Sequence, residues 1–339
     1  MKYNFSQNVA GASLKDQKYG AYLLSFFISK YGQTQIKRSS MLSGQGKIEL
    51  SDIRHYKIPF FSDSLLSILT LVIDRVNDFK SKANEYYNDS LKLLNKILNI
   101  NPGNFKKSTI SNKRFSEVIN NNRFDAEYYS PQYDELFSHL RKYKTKRLSE
   151  IVKIQKSIEP GSDAYIDKGV PFLRVSNLTK FELIDSNIYL SQEQYKDVIR
   201  PHKDTILLSK DGSVGIAYKV DSDMDIITSG AILHLTITDK RVMPDYLTLV
   251  LNSIVVKMQA ERDSGGSVIQ HWKPSEIGNV IIPMLEPEVQ QEITNKVCDS
   301  FRLRGESERL LNFAISAVEI AIEQGENKAL ELLNQSLWQ

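Results

Sequence analysis

The sequence is poor in the residues that build covalently or metal-stabilised folds. It contains one cysteine, Cys298, in 339 residues, which excludes an intrachain disulfide and a cysteine-rich zinc site. Its histidines lack the paired spacing of metal ligands; they are His55, His139, His202, His234 and His271. No apolar run approaches the roughly 20 residues of a membrane-spanning helix, and no apolar segment follows Met1–Phe5 as it would in a signal peptide. We therefore expect a cytoplasmic protein with no metal and no membrane partner.

Common signatures of catalysis are also missing. There is no Gly-x-x-x-x-Gly-Lys-Ser/Thr phosphate loop, and no Asn-Pro-Pro-Tyr or Asp-Pro-Pro-Tyr tetrapeptide with which an amino-methyltransferase would hold a flipped base. Pro244-Asp245 does not begin a nuclease metal motif, because an apolar helical stretch follows it. Gly212-Ser213-Val214-Gly215 superficially resembles a glycine loop, but its place between two short strands favours a hairpin. We expect no catalytic residue and no cofactor bound by this chain.

Charge gives weak guidance towards a nucleic-acid partner. Lysine and arginine number 44 against 41 acidic residues, so the formal net charge is +3. Basic residues nevertheless concentrate in one run, which contains Arg141, Lys142, Lys144, Lys146 and Arg147. Because a DNA-binding face needs only a local concentration of positive charge, two interpretations stay open: a solvated helix end, or part of such a face.

The most informative feature is an internal repeat with an offset of 224 residues, which places Tyr22 on Tyr246. Each copy predicts a Tyr-Leu-rich helix, a small polar loop, a short strand ending in Ile-Pro and a long helix. A duplicated structural unit is therefore expected. Without a gap, the same offset aligns Gln35 with Gln259, Ser51-Asp52-Ile53 with Ser275-Glu276-Ile277, and Ile58-Pro59 with Ile282-Pro283.

The long helix after the first Ile-Pro carries a heptad seam. Steps of four and three alternate, and only Ser90 is polar, along Leu65, Leu69, Val72, Val76, Phe79, Ala83, Tyr86, Ser90, Leu93 and Ile97. This pattern is typical of a coiled-coil helix. We expect Asn101-Pro102-Gly103 to end it.

The helix after the second Ile-Pro begins behind Pro287 and is less regular, because Arg304 and Glu308 interrupt its seam. Each helix covers about 37 residues, or about 55 Å, and cannot bury its seam alone. We expect the two helices to pack antiparallel on each other; the alternative is two amphipathic helices that each pack on their own domain. The two apolar stripes of the second helix are Val289, Ile293, Val297 and Phe301, then Leu311, Ile315, Val318 and Ile322.

Between the long helices, residues 111–285 predict a mixed α/β domain. Helices are indicated over Tyr128–Tyr143, with Ser130-Pro131 near its start, and over Tyr246–Arg262. Lys210-Asp211-Gly212-Ser213 predicts a tight turn between two strands. The strand-like runs are Pro171–Val175, Thr205–Ser209, Gly215–Val220 and Ala231–Thr238.

Several of these segments together resemble the specificity (S) subunits of type I restriction-modification systems. Arg123–Tyr129 with Ser130-Pro131 looks like the start of a target recognition domain, and Gly169–Arg174 like its first core strand. Asp204–Gly215 resembles the most recognisable hairpin of that family. Ser264–Gln270, followed by Ile282-Pro283, resembles its closing loop and strand. The resemblance covers about residues 20–325, and the order and spacing of the motifs make it specific.

The resemblance implies an α+β fold: one mixed α/β target recognition domain plus long coiled-coil spacer helices. It predicts the C-terminal part of a first recognition domain at residues 1–60, a spacer helix at 61–102, a complete recognition domain at 103–285, and a second spacer helix with a tail at 286–339. In the family, such helices set the distance between two half-sites on DNA. Because residues 1–60 match only the last third of a domain, we expect only the second domain to read DNA.

Direct readout needs side chains that reach base edges, while Lys, Ser, Thr and backbone amides hold phosphates. Polar residues on loops at strand ends are the best candidates, because a rigid scaffold aims them. Gly265-Gly266 would let the backbone approach a phosphate closely. The alternatives are an ordinary surface charge for Arg174, a flexible connector for Ser264–Ser267, and a core anchor for Trp272. The predicted DNA-binding residues are Arg174, Ser176, Asn177, Lys180, Lys210, Asp211, Ser213, Ser229, Ser264, Gly265, Gly266, Ser267, Gln270, His271 and Lys273.

The leading hypothesis is a sequence-reading subunit that is not an enzyme. The resemblance implies double-stranded DNA and a methyltransferase (modification) subunit as partners, with S-adenosylmethionine bound by the latter. A restriction (translocase-nuclease) subunit using ATP and Mg would be a further partner, and a homodimer through the spacer helices would read a symmetric split site. The alternative is an interaction or structural coiled-coil protein with a vestigial DNA-reading domain.

Overall fold

A computed structural model describes residues 9–40, 47–101, 103, 105, 110–264 and 270–337. Within this part of the chain the helices are α1 (Gly20–Ile28), α2 (Lys30–Ser39), α3 (Leu50–Ile53), α4 (Asp63–Ile97), α5 (Phe115–Asn121), α6 (Pro131–Leu140), α7 (Pro244–Leu251), α8 (Ile254–Asp263), α9 (Pro274–Gly278), α10 (Pro287–Gln324) and α11 (Glu326–Leu337). The strands are β1 (Thr145–Arg147), β2 (Val152–Lys156), β3 (Val170–Leu173), β4 (Tyr189–Leu190), β5 (Ile206–Ser209), β6 (Ala217–Lys219), β7 (Ile227–Thr228), β8 (Ile232–Ile237) and β9 (Ile281–Pro283).

The chain forms two compact units. The first contains Met1–Glu85 and Ser300–Gln339, and the second contains Tyr86–Asp299. The boundaries therefore fall inside α4 and inside α10, and each long helix contributes a different segment to each unit.

The first unit has a helical core. Its buried side chains come from α1, the first half of α4, the second half of α10, and α11. Their burial removes apolar surface from water and is the main stabilising contribution here. They are Tyr22, Phe26, Leu65, Leu66, Leu69, Val72, Ile73, Val76, Leu310, Ala314, Ala317, Val318, Ala321, Ala329 and Leu333.

Within the first unit, the segments of α4 and α10 run antiparallel. Ser307 Oγ donates to the carbonyl of Val76 (3.0 Å), and Ser300 Oγ donates to the carbonyl of Ala83 (2.7 Å). Both serines are buried, so these hydrogen bonds fix the two helices at close approach. The antiparallel packing expected from the seams is confirmed in this unit.

The buried stripe of α4 follows the predicted seam as far as Ala83 and then departs from it. The prediction is wrong for Tyr86, Leu93 and Ile97, because an α-helix drifts by about 20° per heptad from a strict seven-residue repeat. That drift moves the buried stripe by one position in the second half of the helix. The buried residues there are Tyr87, Ser90, Leu94 and Leu98.

The stripe of α10 is continuous, contrary to prediction. Leu303 and Ser307 carry it through the middle of the helix, and Arg304 and Glu308 lie beside it. Serine and alanine occupy several of its positions, which a search for large apolar residues does not detect. The buried residues are Gln290, Ile293, Val297, Ser300, Leu303, Ser307, Leu310, Ala314, Ala317, Val318 and Ala321.

The first long helix ends earlier than predicted. Asn99 adopts a left-handed conformation (φ 49°), and the Ile100 N–H donates to the carbonyl of Asn95 (2.8 Å). This hydrogen bond is that of a Schellman C-cap, in which asparagine tolerates the left-handed position. Asn99, rather than Asn101, therefore ends α4.

The second unit contains the strands. β2, β8, β5 and β6 form an antiparallel sheet in that order. β4, β3 and β7 form a second sheet, in which β3 and β7 are parallel, and β1 pairs antiparallel with β9. The four predicted strands are confirmed to within two residues as β3, β5, β6 and β8. The predicted α+β fold with long helices is confirmed.

The helix predicted over Tyr246–Arg262 is divided into α7 and α8. Ser253 Oγ donates to the carbonyl of Val250 (2.6 Å) at the break. The Asn252 side chain donates to the Ala217 carbonyl (2.7 Å) and accepts from the Ala217 N–H (3.1 Å). Polar side chains thus satisfy the backbone where the helix stops and tie the break to β6.

The internal repeat is present at the level of single hydrogen bonds. Tyr22 OH donates to the Pro59 carbonyl (2.8 Å), and Tyr246 OH donates to the Pro283 carbonyl (2.7 Å). The long helices begin at residues 63 and 287, which keeps the same offset. The duplication inferred from sparse identities is therefore confirmed.

A glutamine clamp is repeated as well. Gln35 exchanges two hydrogen bonds with the backbone of Lys57 (2.8 and 3.0 Å), and Gln259 makes the same pair with Ile281 (2.8 and 3.0 Å). Only the second copy has the strand predicted before Ile-Pro, namely β9. In the first copy Lys57–Pro59 forms no strand within the described residues, so that prediction is wrong for the first copy.

In the part of the chain that the structure describes, no helix is long and apolar enough to span a bilayer.

Candidate nucleic-acid interface

Arg174 directly follows a buried strand. Val170, Phe172 and Leu173 of β3 are buried, whereas Arg174 is exposed. A 3₁₀ turn over Val175–Asn177 follows, and the Asn177 N–H donates to the Arg174 carbonyl (2.8 Å). The packed strand therefore fixes the point from which the Arg174 side chain reaches solvent.

Three of the predicted residues line one cavity of about 460 Å³: Arg174, Ser176 and Ser229. Ser229 follows β7, and the parallel pairing of β7 with β3 brings the two strand ends together. The Ser229 N–H donates to the Leu173 carbonyl (2.8 Å) and fixes this arrangement. The site is thus assembled from segments that are distant in sequence.

An ion pair that the sequence did not single out lies at this cavity. Glu159 lines it, and the Glu159 carboxylate contacts Lys156 Nζ at 2.8 Å. The hydrogen bond from Lys156 lowers the pKa of Glu159, so the carboxylate is charged at neutral pH. A Cβ at Gly230 would lie 2.6 Å from Lys156 Cε, so a larger residue there would displace the side chains of this ion pair. The adjacent Ser229-Gly230 pair was the available signal in the sequence.

The predicted residues Lys210, Asp211 and His271 form a second cluster. Asp211 lies in the β5–β6 hairpin and forms a β-bridge with His271. The Asp211 carboxylate contacts Lys210 Nζ and accepts a hydrogen bond from His271 Nδ1 (2.8 Å) when that nitrogen carries the proton. Burial raises the pKa of Asp211, but the hydrogen bonds from Lys210 and His271 outweigh that effect and hold the pKa below its usual range.

This second cluster is electrostatically connected to the cavity. The charge of Lys210 lowers the pKa of Glu159, and the charge of Asp211 raises it. Lys210 is only 12% exposed in its ion pair, whereas the His271 side chain is 64% exposed. Lys210 therefore holds Asp211 in place, and His271 is the group of this cluster that faces solvent.

Ser264 and Gln270 line a different cavity, of about 310 Å³, together with Asn252 and Lys257. The Gln270 carbonyl accepts a hydrogen bond from the Gly212 N–H (2.9 Å), which ties this segment to the hairpin. The predicted residues Gly265, Gly266 and Ser267 lie outside the described residues.

Asn177 is fully occupied by local hydrogen bonds. Its Nδ2 donates to the carbonyls of Ile184 (3.1 Å) and Asp185 (3.2 Å), and its Oδ1 accepts from the Arg174 N–H (3.0 Å). To pair with adenine, the amide would have to break these bonds. Lys180 lies with its ammonium group over the rings of Tyr87 and Phe181.

The remaining predicted residues contribute to turns. The Ser213 carbonyl accepts from Ser209 Oγ (2.5 Å) inside the hairpin, and the Ser213 side chain is exposed. Lys273 caps α9, and its Nζ lies 3.6 Å from Glu276. Trp272, which the sequence favoured as a core anchor, is 1% exposed.

The basic run lies at the end of α6 and along β1. Lys146 Nζ contacts Asp239 at 2.9 Å, and Asp239 also accepts from Arg241. Hydrogen bonds from Arg241 and Lys146 lower the pKa of Asp239. Part of the positive charge of this run is therefore neutralised by Asp239, which belongs to the same unit.

The chemistry of the site is hydrogen bonding and charge. Among the described residues, no group of three or more His, Cys, Asp or Glu side chains is arranged to hold a metal ion. Ser157 Oγ and Ser229 Oγ are buried without a hydrogen-bond partner in that part of the chain. Since unsatisfied buried hydroxyls are unfavourable, Ser229 offers an unused polar atom beside the Arg174 cavity.

Residues 141–302 match a family model described as the type I restriction modification DNA specificity domain. No curated protein matches the chain.

Among solved structures, 25 chains match. The S subunit of a type I restriction-modification system from M. genitalium is 14% identical, with a TM-score of 0.43 and coverage of 94% of this chain and 72% of that one. A structure of a type I restriction-modification system, concerned with complex assembly and conformational transition, is 14% identical (TM-score 0.40, coverage 93% and 70%). The HsdS subunit from Thermoanaerobacter tengcongensis is 15% identical (TM-score 0.38, coverage 94% and 68%). At identities this low, none of them assigns a role to a residue of this chain.

Proposed function

We propose that this chain reads one half-site of a bipartite target in double-stranded DNA, since residues 141–302 match the family model of the type I restriction modification DNA specificity domain. In this role it is the specificity subunit of a type I-like restriction-modification complex. The observation that carries the proposal is the convergence of Arg174, Ser176 and Ser229 on one cavity inside the matched segment. Arginine is the side chain best suited to guanine, and hydroxyls contact bases or phosphates.

Within this proposal the residues have different tasks. Arg174 reads a base edge, because its side chain is exposed and the buried strand β3 fixes its backbone position. His271 contacts a phosphate or a base from the bridge with Asp211. Asn177 positions Arg174 through the bond to its N–H, and Lys210 positions Asp211. Ser213, Lys273 and the segment from Ser264 to Gln270 contribute contacts to the sugar-phosphate backbone.

The long helices carry the second half of the proposal. They dock a methyltransferase subunit, which binds S-adenosylmethionine and transfers the methyl group. A translocase-nuclease subunit that uses ATP and Mg would add cleavage. A pair of chains joined through these helices would read two half-sites related by symmetry.

The test is methylation sequencing of DNA from cells that express this chain with its methyltransferase subunit and no other specificity protein. We expect a new methylated motif that is split in two. A symmetric motif supports two copies of this chain, whereas an asymmetric motif indicates that a second fragment supplies the other half-site. The proposal fails if no motif appears although the complex with the methyltransferase subunit can be purified. That outcome favours an interaction protein with a vestigial DNA-reading domain.

A further inference from the structure

The two copies of the repeat differ in what covers the segment before the long helix. In the second unit β1 pairs with β9: the Met284 N–H donates to the Lys144 carbonyl, and the Leu148 N–H donates to the Val280 carbonyl, both at 2.8 Å. Ile282 is 0% exposed there. In the first unit the equivalent Ile58 is only half-buried.

The same offset identifies the backbone groups that β1 satisfies. Met284 corresponds to Phe60, and Val280 corresponds to Tyr56. Within the described part of the chain, no hydrogen-bond partner is found for the Phe60 N–H or the Tyr56 carbonyl. The Phe60 side chain is 84% exposed. The first unit therefore presents one donor and one acceptor at the spacing that β1 occupies in the second unit.

A groove is lined on one side by Ile58–Phe60, the segment that is equivalent to the end of β9. It has a volume of about 240 Å³ and is mainly apolar. We call it the strand groove; its lining includes Leu14, Asp16, Tyr19, Ile58, Pro59 and Phe60.

One acidic residue of the strand groove has a counterpart in the second unit that is shifted by one residue, because the offset of 224 places Asp16 on Lys240 and not on Asp239. Asp16 Oδ1 accepts from the backbone N–H two residues further on, that of Lys18 (3.0 Å), and Asp239 Oδ1 accepts in the same way from Arg241 (3.1 Å). Asp239 also receives the ammonium group of Lys146 from β1 (2.9 Å). Each carboxylate also has a local cation: Lys18 Nζ lies 3.8 Å from Asp16, and Arg241 contacts Asp239 at 2.7 Å. Asp16 is thus in place to receive a second cation from a strand that lies as β1 does.

We propose that the strand groove binds an extended basic strand of a second polypeptide, with a Lys or Arg opposite Asp16. The strand pairs antiparallel with Lys57–Phe60, as β1 pairs with β9. It adds main-chain hydrogen bonds to an open edge, a recurring mode of peptide recognition. A second copy of this chain is disfavoured as the donor, because its own β1 is already paired with β9. The proposal does not depend on DNA reading by the second unit.

The test uses a fluorescent peptide with the sequence of residues 141–151, whose fluorescence anisotropy is followed as the full chain is added. The peptide contains the whole of β1 and the backbone groups on both sides of it. Phe60→Pro removes the N–H donor of the edge, and Phe60→Ala is the matched control that keeps it. We expect about fivefold weaker peptide binding for Phe60→Pro than for Phe60→Ala, as for the loss of one hydrogen bond.

A charge swap tests the orientation. Asp16→Lys weakens binding of the native peptide about threefold, as expected for a partly exposed ion pair. A peptide carrying Lys146→Glu recovers affinity for the Asp16→Lys chain and binds the unchanged chain more weakly. N-methylation of the peptide at Leu148 removes the bond to the Tyr56 carbonyl and weakens binding to every variant.

Three results overturn the proposal. The first is an absence of peptide binding to the full chain, or binding that both Phe60→Pro and Asp16→Lys leave unchanged. The second is binding that occurs only after deletion of residues 1–8, since the groove is then filled by the chain's own N-terminal segment. The third is a dimer in sedimentation velocity that Phe60→Pro converts to a monomer, since the occupant is then a second copy.

Discussion

Gln35 in the first unit and Gln259 in the second make the same two hydrogen bonds to the backbone, yet their surroundings differ. Gln259 is 1% exposed and is covered by the sheet-bearing unit, whereas Gln35 is partly exposed on a helical unit. Gln259 Nε2 also donates to the Val255 carbonyl (3.1 Å). The comparison shows that the clamp and the helix after it form without the sheet. Coverage by the sheet changes how strongly each clamp contributes to stability.

The largest expected effect separates the two clamps. Gln259→Ala leaves the N–H and the carbonyl of the half-buried Ile281 without a partner, and we expect a loss of about 3 kcal/mol in the free energy of unfolding of the second unit. Gln35→Ala leaves the backbone of Lys57, which is already exposed, to hydrogen-bond with water and costs about 0.5 kcal/mol. Hydrogen exchange measured by mass spectrometry on α8 and α2 reports each unit separately. Equal losses at the two sites would contradict the difference in coverage.

The next effect concerns DNA, and it belongs to the second unit alone. Arg174→Ala should weaken binding to the methylated motif by about 2 kcal/mol, or about thirtyfold, as for loss of a bidentate contact to guanine. Arg174→Lys keeps the positive charge but loses the paired donors of the guanidinium group. It should therefore restore non-specific binding without the preference for the motif. Titrations at several salt concentrations separate the two contributions. An equal loss of affinity for all DNA sequences would indicate that Arg174 contacts a phosphate and not a base.

A pH effect of similar size is also confined to the second unit. His234 in β8 is 3% exposed, its ring lies 2.8 Å from Thr228 Oγ1, and burial lowers its pKa to about 4. The unfolded chain binds this proton near pH 6.5, so the stabilisation is complete above that pH and is lost as the pH falls towards 4. Between pH 7.5 and pH 5 we expect the second unit to lose about 2 kcal/mol.

Urea unfolding followed by Trp272 fluorescence, in a chain with Trp338→Phe, measures this loss. His234→Gln should remove most of the pH dependence. His55→Gln, at an exposed histidine of the first unit, should leave it unchanged. A pH dependence that survives His234→Gln would assign the effect to other groups.

The last effect is smaller than those of Gln259→Ala, Arg174→Ala and His234, and it should be the same in both units. Tyr22→Phe and Tyr246→Phe each remove one hydroxyl that donates to a proline carbonyl, and both rings are almost completely buried. We expect a loss of about 1 kcal/mol at each site. Hydrogen exchange on α1 and α7 measures it. Unequal losses would indicate that the two copies of the repeat do not contribute equally to stability.

The repeat and the four main strands were predictable, because their signals are local. Tyr22 and Tyr246 align without a gap, β5 is an apolar run that is fully buried, and the first four residues of β8 are buried. Which positions of the long helices are buried was predictable only for part of their length. Tyr86 and Tyr87 are equally aromatic, and packing against other segments decides which of them is buried.

The site was predictable as a group of loops and not residue by residue. Arg174 and Ser229 meet because β3 and β7 pair in parallel, a long-range contact that no local pattern encodes. Asn177 is of a residue type that reads bases, but its side-chain amide is already hydrogen-bonded to the backbone of the turn. Glu159 carries no local signal of its own, since its importance arises from Lys156 and Gly230 beside it.

The shortness of the open edge in the first unit has a consequence for the behaviour of the chain at high concentration. An exposed strand edge can template open-ended stacking of chains into aggregates. In the register of β1 and β9, the backbone groups that face this edge belong to Tyr56, Ile58 and Phe60, whereas Pro59 faces inward. The preceding helix ends at Ile53 and α4 begins at Asp63, so the edge is too short for a long uninterrupted ladder. A brief, specific pairing is permitted there, while open-ended growth into fibrils is disfavoured.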